Sequence, residues 1–166
     1  MSDLDARLAR LEAQLRSLQD HVEICQVIAR YGPQADTSDT VERGLRTGAL
    51  WAEDGVYELD GGLAGHGPEG IAGLLDNEVH RALVRDGAAH ILSLPHVTVD
   101  GDHASAINYS RVYKHVEGAF VIWRVSVNCW TLTRLADGWK VMRRTNRLLN
   151  GSEEARTVLR GIDQAA

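Results

Sequence analysis

Two polar residues, Asp36 and His90, have side chains that together can make a general base. His90 lies in the apolar run 88–92, and a histidine in such surroundings is most often a core residue with a backbone hydrogen-bond partner. A carboxylate beside it would instead fix its tautomer and raise its basicity, so that the imidazole could remove a proton from a substrate. The residues alone do not show whether the two side chains meet, and both interpretations stay open.

Two tyrosines and an arginine cluster are further candidates. Tyr31 and Tyr57 fit an ordinary aromatic core, but a buried hydroxyl needs a partner and can hold a substrate oxygen. Arg143, Arg144 and Arg147 lie on the last predicted strand, where alternation sends Arg143 and Arg144 to opposite faces. One of them should therefore point inward. A buried arginine without a carboxylate is costly, so an inward one suggests an anionic ligand or leaving group.

Polar residues also occur as i, i+2 pairs within otherwise apolar strands. The pairs are Asn108 with Ser110 and Ser126 with Asn128. Such a pair marks either one side of a ligand cavity or a solvated face of the sheet. The pattern is the same in both cases.

No pattern for a metal or a bound cofactor is present. The chain has seven histidines, but none are paired at i, i+4 on a predicted helix, and Pro95 interrupts the run between His90 and His96. The two cysteines, Cys25 and Cys129, form no CxxC motif. The glycine-rich segment 61–67 lacks the lysine of a phosphate-binding loop and does not match GxGxxG. We therefore expect no metal and no cofactor.

Charge and hydropathy exclude several kinds of partner. The net charge is -5 and the pI about 5.8, so no basic surface for nucleic acid or anionic lipid is expected. No apolar run approaches the roughly 18 residues of a membrane span. The first residues, 1–5, lack the basic start and apolar stretch of a signal peptide. The expected location is the cytoplasm.

A long first helix, about residues 3–31, must carry Tyr31 on its last turn. Gly32 and Pro33 are predicted to end or kink it, which leaves Asp36 just beyond. Apolar side chains spaced four and three residues apart form a heptad stripe. We call this stripe the leucine seam: Leu4, Leu8, Leu11, Leu15, Leu18 and Val22. It is expected to pack against the domain or a partner subunit, and a free-standing zipper is the less favoured alternative.

The remaining helices and strands follow from caps, prolines and turns. Thr40 is predicted to cap a second helix that carries Val41, Leu45, Leu50 and Trp51. A strand at 56–59, a glycine-rich turn at 61–67 and a third helix from 67 to 79 follow. Four strands are then expected at 88–99, 103–115, 120–134 and 139–149, with turns at 100–101, 117–118 and 137–138. Ser152 is predicted to cap a last helix that ends near residue 162.

This order predicts one α+β domain over residues 1–166. Three N-terminal helices would pack in a curved, mainly antiparallel sheet and form a cone-shaped α+β barrel. Such a sheet encloses one largely apolar cavity, which is the default position of a ligand site.

Five segments of the chain resemble the nuclear transport factor 2-like, or SnoaL-like, superfamily. They are residues 28–31 with Asp36 and Asp39, residues 50–57, residues 65–71, His90, and residues 137–140. The resemblance spans about residues 20–150 and implies the same cone-shaped fold. It is more specific for the fold than for the reaction, because one fold hosts many activities.

The most similar branch contains scytalone dehydratase, bile acid 7α-dehydratase and hexachlorocyclohexane dehydrochlorinase. Their catalytic aspartate and histidine fall on Asp36 and His90, which implies an Asp-His dyad. Their tyrosines fall on Tyr31 and Tyr57, and the dehydrochlorinase arginine that assists the departing anion falls on Arg144. Further candidates for substrate contact are Trp51, Asn108, Ser110, Ser126 and Asn128. The catalytic aspartate of ketosteroid isomerases falls on Leu59, so that proton shuttle is not expected.

The resemblance implies a cofactor-independent, lyase-like enzyme that acts on a small apolar cyclic or polyketide-like molecule. An isomerase or cyclase with the same dyad is the first alternative. A non-catalytic ligand-binding or structural subunit is the alternative of a different class, favoured if tryptophans fill the cavity or Asp36 faces solvent. A homodimer or homotrimer is expected, because the sheet's outer face and the leucine seam need cover.

Overall fold

A computed structural model describes residues 3–164, so residues 1, 2, 165 and 166 of the predicted domain lie outside it. The helices are α1 Asp3–Asp36, α2 Val41–Gly48, α3 Gly67–Leu75, α4 Glu78–Asp86 and α5 Glu153–Arg160, with short 3-10 turns at Asp60–Gly62 and Gly161–Gln164. The strands are β1 Trp51–Glu58, β2 Ala64–His66, β3 Ala88–Leu92, β4 His96–Asp100, β5 His103–Val116, β6 Ala119–Leu135 and β7 Gly138–Leu148.

All seven strands form one curved sheet that remains open. Its order is β2-β1-β7-β6-β5-β3, and β4 pairs with the other half of the long strand β5. The pairs are antiparallel except β1 with β7, which run parallel. Helix α1 packs across this sheet through Ile24 and Ile28, which bury against Trp130 and Val141. The expected α+β cone with a mainly antiparallel sheet is confirmed.

The sequence predicted that α1 would end or kink at Gly32-Pro33. The predicted end is wrong, because α1 continues through Pro33 to Asp36. Pro33 lacks an amide hydrogen, yet the turn is held because β3 packs directly against it. A Cβ atom on Gly32 would lie 2.3 Å from the carbonyl oxygen of His90, so only glycine permits this approach. The helix ends where the Thr37 hydroxyl donates to the Pro33 carbonyl, at 2.8 Å. Asp36 is consequently the last residue of the helix.

Three further sequence predictions need correction. The expected third helix is two helices, because Asn77 accepts a hydrogen bond from the His80 amide and begins α4. Four helices therefore precede β3. The glycine-rich segment contains the short strand β2, which pairs with β1. Leu50 and Trp51 lie beyond α2, and Trp51 begins β1.

Other local predictions are confirmed. Thr40 caps α2 by accepting a hydrogen bond from Arg43, and Ser152 caps α5 by accepting one from Ala155. Tight turns join β4 to β5, β5 to β6 and β6 to β7, with Gly101, Gly118 and Gly138 at positive φ.

The single strand expected over residues 88–99 is wrong, because the chain forms two strands there, β3 and β4, with Pro95 between them. Pro95 has no amide hydrogen for the ladder, which explains the break.

The first half of α1 extends away from the sheet. All six side chains of the leucine seam are between 49% and 65% exposed. Contact with the domain begins at Asp20, which accepts hydrogen bonds from Arg134 and Trp139. The seam therefore does not pack against its own domain. None of the helices within residues 3–164 is long and apolar enough to span a bilayer.

Candidate active site

A cavity of about 470 Å³ opens between α1, α3, α4 and the sheet. Its wall is largely apolar and includes Leu74, Leu83, Leu92 and Val112. A few polar side chains converge on it, among them His90 and Tyr57. An apolar pocket with few convergent polar groups is what a small-molecule site requires.

Asp36 and His90 meet at the wall of this cavity. The Nδ1 atom of His90 lies 2.6 Å from Oδ1 of Asp36. The same carboxylate accepts the backbone amide of His90, at 2.9 Å to Oδ2. When Asp36 accepts this hydrogen bond, a neutral imidazole carries its ring proton on Nδ1 and leaves Nε2 as an acceptor. The carboxylate thus fixes both the position and the tautomer of the imidazole.

Tyr31, Tyr57 and Arg144 form the second polar group of the site. The Arg144 guanidinium carbon lies 3.9 Å from the ring centre of Tyr31 and 4.5 Å from that of Tyr57. Tyr31 meets the His90 ring edge-on, with ring centres 6.3 Å apart. Burial, reinforced by the adjacent Tyr57 phenol, raises the pKa of Tyr31 well above its usual value. Tyr31 therefore remains a protonated hydrogen-bond donor.

Arg144 is held by neutral groups alone. Its Nε and Nη2 atoms donate to Oδ1 of Asn128 at 3.0 and 2.9 Å. Trp130 covers it, with the ring centre 4.4 Å from the guanidinium carbon. Its Nη1 atom is buried and has no hydrogen-bond partner within residues 3–164. The inward arginine expected from the sequence is thus Arg144, and no carboxylate of the described residues forms an ion pair with it.

The predicted site residues divide into two layers. Asp36 and His90 form the pair just described, while Tyr31, Tyr57, Ser110 and Arg144 line the cavity with His90. Trp51, Asn108, Ser126 and Asn128 lie behind this lining and are almost completely buried. These four residues are not among those that line the cavity, and their predicted contact with substrate stays a prediction from the sequence.

The hydrogen bonds of this second layer explain its position. Asn108 accepts from Asn128 and Trp130 and donates to the carbonyl of Ser93. Trp51 stacks behind Tyr57 with ring centres 5.7 Å apart. The layer supports Arg144 and the tyrosines from behind.

Sequence reasoning missed His80 and Arg124, which line the cavity together with Trp123. The ring of His80 lies 5.7 Å from that of His90, and its Nε2 donates to the carbonyl of Ala35 at 2.9 Å. Burial lowers the pKa of His80, so it tends to stay neutral. No local signal marked His80, because it precedes β3 on a helix that the sequence did not resolve. The alternation of β6 did place Arg124 on the same face as Ser126.

Metal ligation finds no support in this geometry. In the part of the chain that the structure describes, no group of three or more His, Cys, Asp or Glu side chains is arranged to hold a metal ion. The polar groups of the cavity include the His90 imidazole, which Asp36 holds, two phenols and two guanidinium groups.

Comparison with known proteins assigns the chain to a family. A family model described as a SnoaL-like domain matches residues 16–145. An NTF2-like protein with a cystatin-like fold from Novosphingobium aromaticivorans is 46% identical, with a TM-score of 0.87, and the match covers 92% of this chain and 96% of that one.

More distant structures share the fold. A protein from Novosphingobium aromaticivorans, provisionally named an aromatic ring hydroxylase, is 22% identical over 80% of this chain and 90% of its own, with a TM-score of 0.65. ActVI-ORFA from Streptomyces coelicolor is 19% identical over 77% of this chain and 96% of its own, with a TM-score of 0.63. No curated protein matches the sequence significantly. The family model and the 46% identical structure together show that this chain belongs to the SnoaL-like domain family of the NTF2-like superfamily.

Proposed function

We propose that this protein is a lyase-like enzyme that eliminates water, or a related leaving group, from a small cyclic substrate. The observation that carries the proposal is the 2.6 Å contact between Asp36 and His90 at the wall of an open apolar cavity. A histidine oriented by a carboxylate, with its second nitrogen unprotonated, is the usual form of a general base.

The proposed reaction begins at a carbon next to a carbonyl group. His90 Nε2 takes the proton, and the electrons of the broken C–H bond form a carbon–carbon double bond as the bond to the leaving oxygen breaks. The imidazolium returns its proton to that oxygen, so the products are an enone and water. A positioned general base contributes roughly 10²–10⁴-fold to such a rate.

The tyrosine–arginine group suits the negative charge that develops on the carbonyl oxygen. Tyr31 donates as a protonated phenol, and Tyr57 stands beside it with Arg144 behind both. Preorganised donors in a cavity that excludes water stabilise such charge far more than they would in water. The apolar wall accommodates the rest of the substrate.

Hydrogen–deuterium exchange tests the first step without knowledge of the natural substrate. A panel of cyclic β-hydroxyketones would be incubated with the protein in D₂O, with NMR to follow exchange and ultraviolet absorbance to follow enone formation. The wild type should accelerate both, and His90→Ala should reduce the acceleration at least 100-fold, at the lower end of the general-base range. His96→Ala is the matched control, because His96 is an exposed histidine on the next strand. Equal rates in His90→Ala and wild type would sink the proposal.

An isomerase or cyclase with the same dyad is the nearest alternative. Both begin with the same proton abstraction, so exchange without enone formation, followed by a rearranged or ring-closed product, would favour them. The non-catalytic alternative predicts binding without exchange. Two observations argue against the non-catalytic alternative: the cavity is open, and Asp36 forms a hydrogen bond with His90. The absence of a cofactor and a cytoplasmic location stay predictions from the sequence.

A further inference from the structure

We propose that Arg124 binds a permanent anionic group of the ligand, so that the substrate is an aromatic or cyclic carboxylate or a similar anion. This inference rests on the proposed function, in which the cavity binds the substrate. It goes further, because the Asp36–His90 dyad alone does not require the substrate to carry a charge. It assigns Arg124 a role in specificity, separate from that of Arg144 in the reaction.

Arg124 lines the cavity and has no ion-pair partner within residues 3–164. Its Nε donates to the hydroxyl of Ser126 at 3.0 Å, and its Nη2 donates to Oδ1 of Asn146 at 2.8 Å. Both acceptors are neutral, so they fix the guanidinium without cancelling its charge. Arg124 is half-buried at the cavity wall beside Trp123.

The two arginines of the cavity share one neutral amide network. Asn146, which accepts from Arg124, donates to Asn128 Oδ1 at 2.7 Å, and the same oxygen accepts from Arg144. The guanidinium groups of Arg124 and Arg144 thus both line a largely apolar cavity, and the side chains that accept their hydrogen bonds are neutral amides and a hydroxyl. Burying a charge without a counter-charge is costly, and an anionic ligand would remove that cost.

The carboxylates of the lining do not fill this role. Asp60 accepts the backbone amide of Leu148 at 2.6 Å and forms an ion pair with Arg147, at 4.0 Å. Glu78 lies in the first turn of α4, where the helix dipole favours a negative charge. Neither is an ion-pair partner of Arg124 in the described residues, which leaves that charge for a ligand.

A matched pair of fluorescent probes tests the inference by binding alone. Anilinonaphthalene sulfonate and phenylnaphthylamine share the same aromatic body, and only the first carries a negative charge. The wild type should bind the sulfonate more tightly than the neutral amine. Arg124→Gln should weaken sulfonate binding about tenfold, as loss of one charge-assisted hydrogen bond implies, and leave the amine unaffected.

Two controls separate this result from other effects. Arg111→Gln removes an equal charge from an exposed position of β5 and should change neither affinity. His90→Ala should keep the sulfonate preference, so failure of the proposed reaction would not imitate failure of this inference. No binding of the sulfonate, no preference for it, or a preference that survives Arg124→Gln would overturn the assignment.

An independent observation, the exposed leucine seam, carries a second inference. We propose that the seam pairs with the same seam of a second copy as a parallel two-stranded coiled coil. Val22 of the seam is exposed, while Ile24 is fully buried against the domain. At roughly 100° per residue these two side chains point to nearly opposite sides of α1, so the domain cannot cover the seam.

The charges beside the leucine seam favour a second copy of this chain as its partner, with the two helices parallel. With Leu8 and Leu15 at heptad position a and Leu11 at d, Arg7 falls at g and Glu12 at e. In a parallel pair, Arg7 lies beside Glu12 of the second copy, which is an attractive contact. A fully overlapped antiparallel pair would instead place the two copies of Glu12 together.

Self-cross-linking tests the parallel arrangement. In a Cys25→Ser background, Leu11→Cys should form a disulfide-linked dimer on mild oxidation, because the same seam position faces itself. Ala13→Cys, on the opposite side of the helix, should not. By light scattering the wild type should have the mass of a dimer, and a Leu11→Glu, Leu15→Glu double variant that of a folded monomer. The inference would be overturned by light scattering that shows a monomeric or trimeric wild type, or a dimer that persists in the double variant. It would also be overturned if Leu11→Cys formed no cross-link.

Discussion

The Nδ1 atom of His90 lies 2.6 Å from Oδ1 of Asp36, although 54 residues separate the two in the sequence. The contact forms because α1 ends at Asp36 where β3 crosses it, with the Gly32 backbone against the His90 carbonyl. The proposed base therefore depends on a helix–strand contact as much as on the two side chains.

Replacement of Asp36 by asparagine tests the role of the carboxylate. We expect Asp36→Asn to reduce deuterium exchange of the substrate panel by roughly 10²–10⁴-fold, because the imidazole loses the partner that fixes its tautomer. Asp39→Asn is the matched control, since Asp39 forms an exposed ion pair with Arg43. Exchange that falls equally in both variants would point to a general effect of charge.

The contact between α1 and β3 should not tolerate a side chain at residue 32. A Cβ on Gly32 would lie 2.3 Å from the His90 carbonyl oxygen, so Gly32→Ala should lower the free energy of unfolding by roughly 1–3 kcal/mol. Gly73→Ala in α3 is the control: nothing lies within 4 Å of that position, and alanine should stabilise the helix by about 1 kcal/mol. Urea denaturation of both variants measures the difference. A neutral or stabilising Gly32→Ala would contradict the close approach.

His80 should make stability depend on pH in the acidic range. Burial lowers its pKa in the folded state below the ordinary histidine value of 6.5, while the unfolded chain titrates normally. Below that pH the unfolded state therefore binds more protons than the folded state. The contribution of neutral His80 to the free energy of unfolding is fully present above that pH and is lost as pH falls. The free energy of unfolding should decrease from pH 7.5 to about pH 5.5. His80→Gln should lose less over the same interval, and an identical loss would refute the assignment to His80.

Tyr31 should stay protonated when ordinary tyrosines ionise. Burial and the neighbouring Tyr57 raise its pKa above the ordinary tyrosine value of 10.0. Ultraviolet titration of phenolate through that pH should therefore give the same amplitude for wild type and Tyr31→Phe. Above that pH the unfolded state alone releases this proton, so the stability contributed by Tyr31 is lost as pH rises. A smaller phenolate amplitude in Tyr31→Phe would show that Tyr31 ionises normally.

Much of the local structure follows from the sequence. The caps at Thr40 and Ser152 and the turns at Gly101, Gly118 and Gly138 depend on neighbouring residues, so each is visible in a short window. The second and last helices and the long strands were predicted for the same reason. Residue type and family resemblance also identified the main site candidates, which are Asp36, His90, Tyr31, Tyr57 and Arg144.

Other features of the fold and the site depend on tertiary contacts, which a short stretch of sequence does not contain. Pro33 predicts a helix end, but packing of Gly32 against β3 extends α1 to Asp36. Asn108 and Ser110 share one periodic pattern, yet only Ser110 lines the cavity, because Asn128 and Trp130 occupy Asn108. His80 and Arg124 join the site through elements distant in sequence. Short stretches of sequence predicted most of the helices and strands and the side chains capable of chemistry. The end of α1 and the set of side chains that meet in the cavity depend on contacts between residues far apart in the chain, which no short stretch contains.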